Sequence, residues 1–140
     1  MELNIIPYQS VGPIKLGMTR HEVRSVLNSK VEEFKKGRFS ESLTDSFDDL
    51  DIHVHYTKND TCEAVEIFEN ANPTFENHVL IGSIFNEMKT TFEKYDENLE
   101  LDSTGLTSKK LGIGLYVHDF EEGNEPVTSV IVFEKGYYQS

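Results

Sequence analysis

Tryptophan is absent from this chain, cysteine occurs once, at Cys62, and lysine and arginine together number 13 against 25 aspartates and glutamates. Each shortage excludes something. A lone cysteine cannot form an internal disulfide, which removes the small secreted scaffolds built on such bridges and suits a reducing cytoplasm. A formal net charge of −12 opposes approach to phosphate backbones and to anionic lipid, so neither nucleic acid nor membrane is an expected partner. No apolar run approaches the length of a membrane-crossing helix. Met1 to Ser10 has no lysine or arginine before its short apolar stretch and no small-residue cleavage site, so no signal peptide is expected there. The acidity has two readings, plain solubility or a surface matched to a basic protein, and charge alone does not choose between them.

What remains suits a folded domain. Of 140 residues, 37% are hydrophobic and 27% charged, with nine Phe and six Tyr spread along the length, which is enough to build one compact core. A single domain over residues 1–140 is expected, with no long linker.

The clearest local signal is Leu16-Gly17-Met18-Thr19-Arg20-His21-Glu22-Val23. Thr19 can cap a helix while Glu22, three residues on, reaches back to complete a capping box, with Met18 and Val23 as the hydrophobic staple. Val23, Val26 and Leu27 then form an apolar stripe, and Arg20, Arg24 and Ser25 are expected to face solvent until Asn28 ends the helix. A second helix is expected over Ile84 to Tyr95, behind a possible Ser83 cap, from Ile84, Phe85, Met88 and Phe92. Laying one helix on the other aligns Leu16 with Ile81, Gly17 with Gly82, Glu22 with Glu87, Val23 with Met88 and Leu27 with Phe92, which suggests an internal duplication.

The strands repeat as well. Ile52, Val54 and Tyr56 alternate with Asp51, His53 and His55, a turn centred on Asn59-Asp60 follows, and Glu63 to Phe68 returns, giving a hairpin with one wet face. Later, Leu111 to Val117 alternates, a loop from Phe120 to Pro126 intervenes, and Val127 to Phe133 reads as a central strand. Glu33-Phe34 and Leu99-Glu100-Leu101 can add short strands. The fold class is therefore α+β, an antiparallel sheet with helices on one face, in two helix-plus-strands pseudo-repeats at about 12–70 and 77–135. No parallel crossover is expected.

Few residues point to chemistry. Asp51, His53 and His55 share a strand face at a spacing that could hold Zn²⁺, but a solvated sheet face with His53 opposite Glu66 explains the same residues without metal, so no metal and no cofactor are expected. No nucleophile elbow, Cys/His signature or Ser/His/Asp frame is readable, and Gly112-Ile113-Gly114 lacks the helix that follows a phosphate loop, marking instead a bulge or close packing. Cys62 falls in an expected turn. Lys135-Gly136-Tyr137-Tyr138, with Tyr116 and Phe120, could form a protein-binding surface or simply seal a sheet edge.

The stretch Ile14-Lys15-Leu16-Gly17-Met18-Thr19, followed by Glu22-Val23 and Val26-Leu27, resembles the opening of the SmpA/OmlA lipoproteins and of β-lactamase inhibitor protein. The resemblance covers about a fifth of the chain and implies a folding motif, without chemistry. Ile6-Pro7-Tyr8, ahead of Gly12 and the Gly-Met-Thr turn, is similar to small cytosolic proteins encoded beside polymorphic bacterial toxins. That similarity implies a cytoplasmic immunity protein, not an enzyme, which occludes a basic toxin domain. Asp48, Asp49, Asp51, Glu66, Glu121 and Glu122 are the expected steering charges, with Tyr116 and Phe120 as anchors. The alternatives are a metal-dependent enzyme on the His53/His55 face and a small-molecule or structural module. The oligomeric state is not legible.

Overall fold

The computed structural model describes residues 2–138. The chain begins with three short strands, β1 (Glu2–Ile6), β2 (Ser10–Val11) and β3 (Ile14–Lys15), and enters α1 (Arg20–Leu27). Four strands follow, β4 (Glu32–Lys35), β5 (Leu43–Phe47), β6 (Ile52–Tyr56) and β7 (Cys62–Ile67). A short hairpin, β8 (Asn72–Phe75) and β9 (His78–Val79), leads into α2 (Phe85–Glu93). The last four strands are β10 (Glu100–Asp102), β11 (Gly105–Ser108), β12 (Ile113–Tyr116) and β13 (Ser129–Phe133).

The fold is α+β. An eight-stranded sheet in the order β10-β11-β12-β13-β7-β6-β5-β4 is antiparallel throughout, and β13 lies centrally against β7. Helix residues Val23, Leu27, Phe85, Met88 and Phe92 join one buried cluster with Ile52, Val54, Val65, Ile67, Ile113, Leu115, Val130 and Val132, so both helices cover the same, inner face. Inward residues alternate along each strand as the pleat requires.

A second sheet, β3-β2-β1-β8-β9, has no counterpart in the sequence reading, and its β1–β8 pair is parallel, contrary to the expectation of antiparallel pairing alone. Strands of two residues are too short to show alternation, and β1 finds its partners across the whole first half of the chain.

The Thr19 capping box is present in both directions, Glu22 N donating to Thr19 Oγ1 at 3.2 Å and Thr19 N to Glu22 Oε1 at 2.9 Å. Asn28, in the left-handed conformation at φ 43°, ends α1. The second helix differs from expectation at its start: Ile84 is the cap residue and supplies no side-chain acceptor, while Ser83 Oγ donates to the Val79 carbonyl. Backbone contacts around the two helix starts nevertheless match at one constant offset along the chain. Gly17 N donates to Cys62 O as Gly82 N does to Val127 O, and Arg20 N to Asp60 O as Phe85 N does to Glu125 O. The isolated bridges Thr19–Thr61 and Ile84–Pro126 fall at that offset too, as do the left-handed φ values of Gly17, 93°, and Gly82, 91°.

Two expectations about side chains are corrected. Arg20 and Arg24 do not project into solvent: they turn back to Asp45, which lies on the inner face of β5 with none of its side chain exposed. Arg20 Nη1 is 2.8 Å from Asp45 Oδ1, Arg24 Nε and Nη2 donate at 2.9 and 2.7 Å, and Tyr56 Oη donates to Oδ2 at 2.9 Å. Strand alternation forces the carboxylate inward, and two guanidinium groups from the adjacent helix neutralise it. Cys62 is the first residue of β7 rather than part of a turn, and it is wholly buried. Burial pushes its thiol up to about 12.

Two outcomes follow from these contacts. Asp45→Ala leaves two guanidinium groups without their shared partner and should cost about 3–5 kcal/mol in urea unfolding, whereas Thr19→Ala should cost about 1 kcal/mol. A Thr19→Ala loss as large as that of Asp45→Ala would show the ranking to be wrong. Cys62 in the native protein should resist a soluble thiol reagent and react only after denaturant is added; rapid labelling without denaturant contradicts its position.

Candidate functional site

The face of the large sheet turned away from the helices carries the residues that alternate outward, including Thr44, Ser46, His53, His55, Glu66, Tyr116, Ile131 and Phe133. Register places His53 beside Glu66 and His55 beside Ala64. His55, rather than His53, makes the bond to Glu66: its Nε2 contacts Glu66 Oε1 closely, and its Nδ1 lies 2.8 Å from Thr44 Oγ1. His55 is buried, so the expected wet face is dry at this point. Its ring is held between Thr44 on β5 and Glu66 on β7, next to the irregularity in the ladder between His55 and Tyr56.

His53 lies between two aromatic edges, with ring centroids 5.0 Å from Phe34 and 4.8 Å from Phe68. Burial holds its imidazolium form below the usual histidine range. Glu66 is held below the usual carboxylate range chiefly by its bond to His55. Asp51, His53 and His55 therefore do not converge. Both ring nitrogens of His55 are engaged, Asp51 Oδ2 accepts from Asn70 N at 2.9 Å, and no set of three or more metal-ligating side chains comes together among the described residues.

Strand direction gathers the other expected residues. The β5–β6, β7–β8 and β12–β13 connections all leave the large sheet at the same end. These three segments, 48–51, 68–71 and 117–128, hold Asp48, Asp49, Asp51, Glu69, Asp119, Glu121, Glu122 and Glu125, and no lysine or arginine, while the stretch before β4 brings Lys30 to the same end, 3.8 Å from Glu32. Between them is a shallow depression lined by Asp51, His53, Phe68, Glu69, His118 and Ser129. Asp48 and Asp49 are exposed on its rim, Asp48 accepting from Ser46 Oγ. Like charges collected over a low-dielectric sheet end focus a field outward.

Phe120 differs from an exposed anchor. Half-buried, it packs edge-on to Phe85 with centroids 5.2 Å apart and so holds the β12–β13 loop to α2. The same loop is tied by Asn86 Nδ2 donating to Glu122 O at 3.3 Å and by Glu121 N donating to Glu125 Oε1 at 2.6 Å. Tyr116 lies out on the sheet face, its hydroxyl 3.2 Å from that of Tyr138. Gly114 leaves room for it: a Cβ there would sit 2.8 Å from Ile131 Cγ2 and 3.2 Å from the Tyr116 hydroxyl, so the glycine pair marks close packing.

Sequence reasoning missed Glu69, His118 and Phe34 as neighbours of this site. A count of charge by connecting segment, rather than along the whole chain, would have picked out Glu69 and Asp119, since both fall in segments with acids and no lysine or arginine.

Comparison with known proteins adds no relative, since no family model, curated protein or solved structure matches the chain. No helix among the described residues is long and apolar enough to cross a membrane.

The His55–Glu66 bond sets a pH dependence. Because the folded carboxyl titrates below its ordinary value, the stabilisation it contributes is fully present above that ordinary value. It is lost as pH falls through the lowered one. Urea midpoints followed down through the acid range should fall more steeply in the wild type than in Glu66→Gln over that interval; parallel curves would show that Glu66 does not carry the effect.

Proposed function

We propose that this chain is a cytoplasmic binding protein, an immunity protein or related inhibitor, which neutralises a basic protein domain by covering it. The observation that carries the reading is the end of the large sheet where three connecting segments supply only acidic charge. A surface of this kind speeds encounter with a basic cleft and fixes its orientation. Occlusion needs no catalytic group, and His55, the best-placed candidate for one, is already bonded on both sides. The cytoplasmic assignment rests on the single buried cysteine.

The proposal includes the architecture. The halves at about 12–70 and 77–135 are read as a duplicated unit of the type found in the SmpA/OmlA lipoproteins and β-lactamase inhibitor protein. Support comes from the strand order, in which each half contributes four consecutive strands on its own side of the β7–β13 pair, and from the matched backbone bonds at Gly17 and Gly82. An early duplication also accounts for β1 lying between the β2–β3 and β8–β9 hairpins.

Steering charges and contact residues are separable by kinetics. Against the protein recovered from the native cell by low-salt pull-down, reversing Asp48 and Asp49, or Glu121 and Glu122, to lysine should lower the association rate and flatten its dependence on salt. Tyr116→Ala should instead raise the dissociation rate. Phe120→Ala is unsuitable as a partner test because it loosens the loop from Phe85. If low-salt pull-downs recover no basic protein, or if the neighbouring gene encodes no toxin that this chain protects against, the immunity reading fails.

A further inference from the structure

The opposite end of the large sheet mixes lysines with acids and has a different surface. There the β1–β2 turn (Pro7, Tyr8, Gln9), the β11–β12 turn (Lys109, Lys110) and the segment after β13 (Lys135–Tyr138) enclose a cleft of about 850 Å³, within the size range of small-molecule sites. Its floor is aromatic. Phe133 lies edge-on to Tyr8 at 6.2 Å and to Tyr138 at 4.9 Å, and near-parallel to Tyr137 at 5.9 Å.

Cations surround that floor. Lys135 Nζ lies 5.5 Å from the centre of the Tyr8 ring, and Lys36 Nζ is bonded to Tyr137 Oη at 2.9 Å. Lys109 is 3.2 Å from Glu100, while neither Lys110 nor Lys135 is within ion-pair distance of a carboxylate among the described residues. In a chain of net charge −12, Lys110 and Lys135 stand exposed beside a tyrosine floor outside ion-pair distance of any described carboxylate, with Asp96 the acidic neighbour of Lys110. The floor is held in place by Tyr8 Oη donating to the Lys109 carbonyl and by the Tyr116–Tyr138 hydroxyl contact.

We propose that this cleft binds a small anion carrying a flat aromatic ring, of the nucleoside-phosphate class, with the ring against the tyrosines and the phosphate between Lys110 and Lys135. Aromatic faces accept any base by stacking, and ammonium groups bind phosphate as point charges. The net charge that repels a nucleic acid strand acts on a mononucleotide only through its few charges, so local lysines can outweigh it. The site lies at the far end of the sheet from the acidic loops and does not depend on their role, although Tyr116, through its contact with Tyr138, adjoins both surfaces.

Titration calorimetry on the full chain at low salt, with AMP, adenosine and inorganic phosphate as separate probes, tests the assignment. AMP should bind saturably, with adenosine and phosphate each about tenfold weaker or more, and added salt should weaken AMP. Lys110→Glu with Lys135→Glu should weaken AMP about tenfold at unchanged far-UV circular dichroism, since both side chains are exposed, and Tyr138→Ala should weaken it about fivefold. Absence of saturable AMP binding overturns the proposal. So does AMP binding untouched by the lysine pair, phosphate binding as tightly as AMP, or an oligonucleotide whose affinity grows with its length beyond that of AMP.

Discussion

Asp45 is held inside the protein by Arg20, Arg24 and Tyr56, and the placement of α1 depends on that grip. The helix has eight residues and buries only Val23 and Leu27 fully, a contribution of about 1.5–3 kcal/mol for each side chain. Two apolar contacts fix neither its rotation nor its position along the sheet. Paired guanidinium groups reaching one carboxylate on β5 fix both, because neither can move without leaving a buried charge unmatched. Arg20 also stacks over the Tyr56 ring at 4.0 Å and bonds Asp60, so the clamp extends to the β6–β7 turn. The second helix is held by other means: Phe85, Met88 and Phe92 supply a broad apolar face, and no side chain caps its start. Two helices in matching positions are thus secured, one by charge and capping, the other by packing.

The ends of the large sheet acquire their characters from connectivity. An antiparallel sheet sends alternate connections to alternate ends, so the chain can sort its charges simply by which loops carry them. Asp48, Asp51, Glu69 and Glu121 are far apart in sequence yet share one end, while Lys36, Lys109 and Lys135 share the other with Glu41, Asp60, Asp96 and Glu134. The acidic charge of the loops is thus concentrated at one end and partly balanced at the other.

Much of this is legible in the sequence alone. The capping box at Thr19 is written in residue types that act locally, and both helices, the central β13 and the opposition of His53 and Glu66 follow from periodicities of 3.6 and 2. The rest depended on long-range geometry. Arg20 and Arg24 have the spacing of solvent-facing residues, and only the arrival of Asp45 from a strand turns them inward. Which histidine bonds Glu66 is decided by side-chain reach across the diagonal of the ladder, where His55 also meets Thr44. Phe120 reads as an exposed loop aromatic until Phe85 is found beneath it. The small sheet, with strands of two residues, offers almost no alternation to detect. Acidic residues were individually visible; their assembly at one end required the strand order.

The strand order also leaves the large sheet with two open borders, β4 and β10. Both are short and both are acidic: β4 runs Glu32-Glu33-Phe34-Lys35 and β10 runs Glu100-Leu101-Asp102, and every one of these residues is exposed. Were another strand to be laid along either border, it would meet charged side chains that must be desolvated or matched before the ladder could form. The exposed Phe34 and Leu101, which would otherwise favour such a meeting, are flanked on both borders by charge that disfavours it.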